Sequence, residues 1–181
     1  GLPGVSWRAA DLTDPGSLQT ALADIEVNSA VPAPHRPEPQ NTISHVVYCA
    51  APHERTEAAY RATYLTGLQN LMAALDRQRT TSASGSPPKP PHVLFVSSTA
   101  VYDSQATGVF DESSPTEPRA FNGQILCEAE AWLLSHCPRA TVLRLSGIYG
   151  PSKTRLLQSI AQGRSTVPDS PDSIANRIHL D

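Results

Sequence analysis

Four consecutive apolar residues, Val93, Leu94, Phe95 and Val96, follow a proline-rich segment and run straight into Ser97, Ser98 and Thr99. An apolar run without polar alternation is the pattern of a parallel strand covered on both faces. A strand of that kind needs hydrogen-bonded neighbours and helices over it, so it commits the chain to an α/β sheet. Ligands of open α/β sheets bind at the carboxyl ends of the strands. The two serines, and Tyr102 shortly after them, therefore fall where chemistry is expected, although Ser-Ser-Thr by itself is equally the end of a strand and the start of a turn.

The rest of the chain repeats this alternation. Residues 45–51 (HVVYCAA) form a second uninterrupted apolar run, which Pro52 stops. Residues 141–145 read as another strand, and residues 4–10 (GVSWRAA) as a short one. Between them lie helical patterns. Thr13, Asp14 and Pro15 cap a helix whose apolar stripe is Leu18, Ala21, Leu22 and Ile25. Tyr60, Tyr64, Leu68, Leu71, Met72 and Leu75 give residues 57–77 the spacing of a long amphipathic helix, with these side chains as core contacts. A helix over 121–135 puts Ile125, Leu126, Ala129, Leu133 and Leu134 on one side and Glu128 and Glu130 outward, and a short one follows near 156–162. Residues 146–151 read as a glycine-rich turn. The proline-rich stretches 31–40 and 80–91 are loops. Strands alternating with helices indicate a Rossmann-type, doubly wound parallel sheet in one domain over 1–181.

Composition narrows the function. A net charge of −3 and a pI near 6.1 give no electrostatic reason for nucleic acid or an anionic membrane as partner. No apolar run is long enough to span a bilayer. Cys49, Cys127 and Cys137 lack a C-x-x-C arrangement, which points to neither a disulfide framework nor a zinc site and favours a reducing, cytoplasmic setting. The histidines are scattered without metal-ligand spacing.

Four ordered motifs, VSSTAVYD, DESSPTEP, RLSGIYGPS and NRIHLD, resemble the extended short-chain dehydrogenase/reductase superfamily, in its NAD-dependent epimerase/dehydratase group and its atypical, YeeZ-type members. The resemblance implies a protein that binds NAD or NADP and acts as an oxidoreductase or epimerase on a sugar nucleotide or another small carbonyl or hydroxyl substrate. It implies that Ser98 hydrogen-bonds the reacting oxygen and that Tyr102 is a substrate-side or packing residue, which as the only nearby phenol is also a candidate catalytic group. Asp11 and Leu12 match the pair that meets the adenine. Ala50, Ala51 and Pro52, with Ser97, match the strand ends beneath the ribose and pyrophosphate. Ser146, Ile148 and Tyr149 match the turn that meets the nicotinamide carboxamide, and Arg177, Ile178 and His179 the stretch that leads into a substrate lobe beginning near 165–181. A homodimer through the helices at 57–77 and 121–135 is a further implication.

Two departures stand against these matches. The family's Tyr-x-x-x-Lys pair, in which lysine lowers the tyrosine's pKa, is missing: Ala120, Phe121 or Asn122 stands at the tyrosine position and Gln124, Ile125 or Leu126 at the lysine. General acid–base assistance is worth ~10²- to 10⁴-fold in rate, so a catalytically silent dinucleotide sensor or interaction module is the alternative reading. The glycine-rich phosphate turn is also missing, as if the chain began after the family's second strand and stopped as the substrate lobe begins. In the order 3-2-1-4-5-6, the segment at 6–9 then becomes the third strand and that at 45–49 the fourth, with the first two strands absent.

Overall fold

The computed structural model describes residues 5–23, 43–80, 89–106, 108–151, 153–164 and 177–179. The proline-rich stretch 31–40, most of that at 80–91, and Ile25 lie outside them. Helix α1 (Pro15–Ala23) opens with proline at its first position, and Asp14 Oδ1 accepts from the Gly16 N–H at 2.8 Å. That carboxylate satisfies one of the orphan donors of the first turn. Strand β1 (His45–Tyr48) leads through Thr56, whose hydroxyl accepts from the Ala59 N–H, into α2 (Glu57–Tyr60). A π turn over Arg61–Gly67 and α3 (Leu68–Thr80) continue the same helical stretch. Strand β2 (His92–Ser98), a 3₁₀ turn (Thr99–Val101), α4 (Phe121–His136) and β3 (Ala140–Leu145) follow. The last elements are β4 (Gly147–Tyr149), α5 (Arg155–Ala161) and β5 (Arg177–His179).

The sheet order is β1-β2-β3, parallel throughout, with Tyr48 opposite Phe95 and Ser98 opposite Leu145. This bears out the parallel α/β reading. Tyr48, Val93 and Phe95 on one sheet face meet Leu68, Met72 and Leu75 of α3 and Leu126, Ala129 and Leu133 of α4, all buried. Each buried aliphatic or aromatic side chain of this kind contributes about 1.5–3 kcal/mol of transfer free energy. The expected stripe of the long helix is thus the core stripe.

Several expectations are corrected. Residues 5–10 are irregular, not a strand, and Trp7 is 80% exposed. A parallel strand is stable only with a ladder partner, and no described strand pairs with this segment. Among the described residues the sheet is fully covered on one face only: on the other, Leu94 and Val96 of β2 are half-buried, and Val47 of β1 is 64% and Leu143 of β3 38% exposed. Leu134 also faces out, at 54% exposure, whereas Glu130 faces in at 3%. Helical spacing explains the exchange, because Glu130 lies one turn beyond Leu126 and one turn before Leu133, on the buried stripe. Finally, 147–149 is a strand rather than a turn, with Ile148 opposite Ile178 and Tyr149 opposite His179 in a small parallel sheet.

Two glycines mark close approaches. Tyr48 is buried, its hydroxyl donates to the Thr63 carbonyl at 2.5 Å within the π turn, and burial pushes its phenol up from the usual value. A Cβ on Gly67 would lie 2.8 Å from that hydroxyl and 3.0 Å from Leu12 Cβ. Gly123, in the first turn of α4, sits against β2's exit: a Cβ there would lie 2.2 Å from the Ala100 carbonyl oxygen and 2.5 Å from Pro118 Cβ. In an open helix Gly→Ala gains roughly 1 kcal/mol, but overpacking against backbone costs about 1–3 kcal/mol. Gly123→Ala is therefore expected to be a net loss, read as a lower urea midpoint with an unchanged slope.

Candidate functional site

Parallel register brings three groups to one end of the sheet. Ala50, Ala51 and Pro52 follow β1, Ser97 and Ser98 end β2, and Ser146 follows β3. Neighbouring strand residues point to opposite faces, and the two serines accordingly meet different fates. Ser97, 5% exposed, donates its hydroxyl proton to Glu130 Oε1 at 2.5 Å. Its side chain is committed, and only its main chain is left for a ligand. Ser98 is half-buried; its Oγ accepts from the Ala100 N–H at 3.2 Å and so starts the 3₁₀ turn, while its hydroxyl proton has no partner among the described residues.

Behind these serines is a polar cluster that sequence reasoning did not single out. Arg144, in β3, donates to Glu130 Oε2 from Nε at 3.1 Å and from Nη2 at 2.8 Å. Its Nη1 reaches the Tyr102 hydroxyl at 3.0 Å, and the guanidinium carbon stands 5.3 Å from the Tyr102 ring centroid. The carboxylate of Glu130 raises Arg144 beyond the ordinary arginine value. Tyr102 donates its own proton to the Asp111 carbonyl at 2.8 Å, so any proton-transfer role for this phenol requires that bond to be given up. Two signals for the cluster were present: an arginine inside the apolar run ATVLRL, and a glutamate in phase with Leu126 and Leu133.

The remaining expected residues are placed less centrally. Asp11 is exposed; its carboxylate takes the Thr13 N–H at 2.8 Å and hydroxyl at 2.7 Å, which hold its pKa below the usual carboxylate value. Leu12 packs on Gly67, and its carbonyl accepts from Asn70 Nδ2 at 2.9 Å. Ile148 and Tyr149 are 41% and 44% exposed on β4, where the Tyr149 ring meets His179 edge to face at 4.9 Å. Where the resemblance would put Tyr-x-x-x-Lys, Ala120 is the N-cap of α4 and Phe121 meets Tyr60 edge to face at 5.4 Å. Ile125 and Leu126 are in the core, at 1% and 3% exposure. A lysine at either position would lose its hydration.

The chemistry of this edge suits the ribose-nicotinamide half of a dinucleotide: short side chains at Ala50 and Ala51 leave room at the strand ends, and Ser98 has a proton to donate. The G-x-x-G-x-x-G pattern that would meet the pyrophosphate half does not occur in this sequence.

Over residues 4–167 the chain matches the RmlD substrate binding domain family. It is 35% identical over 97 residues to protein YeeZ of Escherichia coli strain K12, a match covering 50% of this chain and 32% of YeeZ. A Methylobacillus flagellatus structure described as an NAD-dependent epimerase/dehydratase is 28% identical, covers 99% of this chain at TM-score 0.62, and is itself covered to 52%. The Bordetella bronchiseptica enzyme WbmG, solved with NAD and UDP, is 20% identical and covers 99% of this chain at TM-score 0.67, with 51% of its own length matched. The chain thus spans about a third of YeeZ and about half of each of these two solved proteins.

Proposed function

Since the chain belongs to the RmlD substrate binding domain family, we propose that it forms the reactive edge of an NAD- or NADP-dependent oxidoreductase or epimerase acting on a sugar nucleotide or a similar small carbonyl or hydroxyl compound. The observation that carries this reading is the unspent proton of Ser98 at the carboxyl end of the central parallel strand, beside a serine whose own proton is buried against Glu130. Similarity to a protein described as NAD-dependent supports the choice of cofactor.

When bound, the nicotinamide would supply or take up hydride. Asp11 and Leu12 would hold the adenine, Ala50, Ala51 and Pro52 with the Ser97 main chain the ribose, and Ser146, Ile148 and Tyr149 the carboxamide. Ser98 would donate a hydrogen bond to the substrate's carbonyl oxygen, favouring the form in which that oxygen carries more negative charge. Tyr102 borders the same edge with its hydroxyl oriented by Arg144.

Titrating the complete protein with NADH and with NADPH, followed by nicotinamide fluorescence and by thermal shift, tests this directly. A saturable response to one or both is the expected result. No response to either would leave the fold and remove the function.

A further inference from the structure

The segment between Tyr102 and α4 has almost nothing of its own to hold it in place. None of its described residues between 103 and 119 is buried, Val109 is 99% exposed, and Gly108 takes a φ of +121°. Conformational entropy of about 1–2 kcal/mol per residue works against a single arrangement of such a loop, so its order must come from anchors. The structure supplies them in sequence. Arg119 forks onto Asp103 at 3.0 and 3.1 Å and ties the two ends of the loop together. The Asp111 carboxylate gathers the Ser113 N–H and the Ser113 and Ser114 hydroxyls into a compact turn. The carbonyl of that same residue takes the Tyr102 proton at 2.8 Å, and Phe110 lies against the Tyr102 ring at 5.2 Å.

We propose that Glu130 and Arg144 are positioning residues: the pair, with its carboxylate buried and its guanidinium half-buried, fixes Tyr102, and Tyr102 carries the 103–119 loop beside Ser98. An ion pair with a buried partner is generally no more stabilising than apolar side chains of the same volume, and stability alone does not account for this one. Its unused donor, Arg144 Nη1, is aimed at the Tyr102 hydroxyl, and the guanidinium lies over the same ring. Ser97 completes the arrangement from below by filling Glu130 Oε1, so the chain of contacts runs from the end of β2 through α4 and β3 to the loop. That this loop flanks a substrate rests on the functional reading above; that it is held through Tyr102 does not.

Hydrogen exchange read by mass spectrometry on the full chain without cofactor tests the proposal. Tyr102→Phe keeps the ring and removes only the hydroxyl. Net loss of one hydrogen bond predicts exchange roughly 2- to 10-fold faster for amides between 104 and 118, with β1, β2 and β3 still protected. Arg144→Gln should release the same amides, and the double variant should release them no further than Arg144→Gln alone. Unchanged loop exchange in Tyr102→Phe, additive effects in the double variant, or loss of protection in the sheet of Tyr102→Phe equal to that in its loop would each overturn it. Because cofactor plays no part in this measurement, a protein that fails to bind NADH yet shows the loop effect would sink the functional reading alone.

Discussion

Glu130→Ala is expected to destabilise the protein by about 1–3 kcal/mol, less than the roughly 3–5 kcal/mol of a fully buried pair because the Arg144 side chain keeps 22% exposure. Glu130 is 3% exposed and is the only acidic group that any described hydrogen bond places on Arg144, and it also receives the Ser97 proton. Alanine at 130 would leave a half-buried guanidinium without its counter-charge and a buried hydroxyl without its acceptor. Two residues earlier on the same helix, Glu128 pairs with Arg61 at 2.8 Å, but both side chains are about half exposed. A pair in water contributes about 0–1 kcal/mol, so Glu128→Ala is the internal control. Urea unfolding of the two variants should separate them clearly. If Glu130→Ala cost no more than Glu128→Ala, the pair would have no structural importance. Replacing both partners, Glu130→Leu with Arg144→Met, should recover most of the stability while leaving the 103–119 loop without its anchor.

The second large effect follows from the proposed function. Ser98→Ala is expected to lower turnover by about 10²- to 10³-fold, the range for removing one donor from a developing oxyanion, with NADH affinity unchanged. The fold should hardly notice, since the hydroxyl's one described contact, the Ala100 N–H, is worth about 1 kcal/mol or less. Ser97→Ala makes the opposite pattern: its hydroxyl serves Glu130, so stability falls more than activity. The measurement is absorbance at the nicotinamide band beside a melting curve for each variant. Equal turnover in Ser98→Ala and the parent protein would remove Ser98 from the chemistry.

Much of this architecture was legible in the residues. Apolar runs at 45–51, 92–96 and 141–145 gave neighbouring parallel strands, the first ending at Tyr48, and the helical stripe from Tyr64 to Leu75 became core, because periodicity and burial answer to the same physics. What stayed hidden was whatever depends on a partner far along the chain. Residues 4–10 have strand-forming composition but no described neighbour to pair with, so composition misled. Glu130 reads as solvent-facing until Arg144 and Ser97 are brought to it, since charge alone argues for exposure and only a counter-charge reverses the argument. Gly147 to Tyr149 reads as a turn until Arg177 to His179 offers an edge. At the candidate site the two adjacent serines were both visible, and their division of labour was not. It follows from the pleat, which sends one toward α4 and leaves the other at the open edge.

The ladder itself carries a kinetic meaning. His45 pairs with His92 and Val93 with Ala140, so no rung of the main sheet joins residues close in sequence; each waits for an entire crossover to be laid down. No hairpin can nucleate such a sheet, and the entropy of closing each long loop precedes any reward from pairing. Helices α3 and α4 can form on their own timescale, well before strand assembly. During that interval the apolar strands stand bare, and the passage from collapsed chain to native protein is when self-association competes hardest with folding.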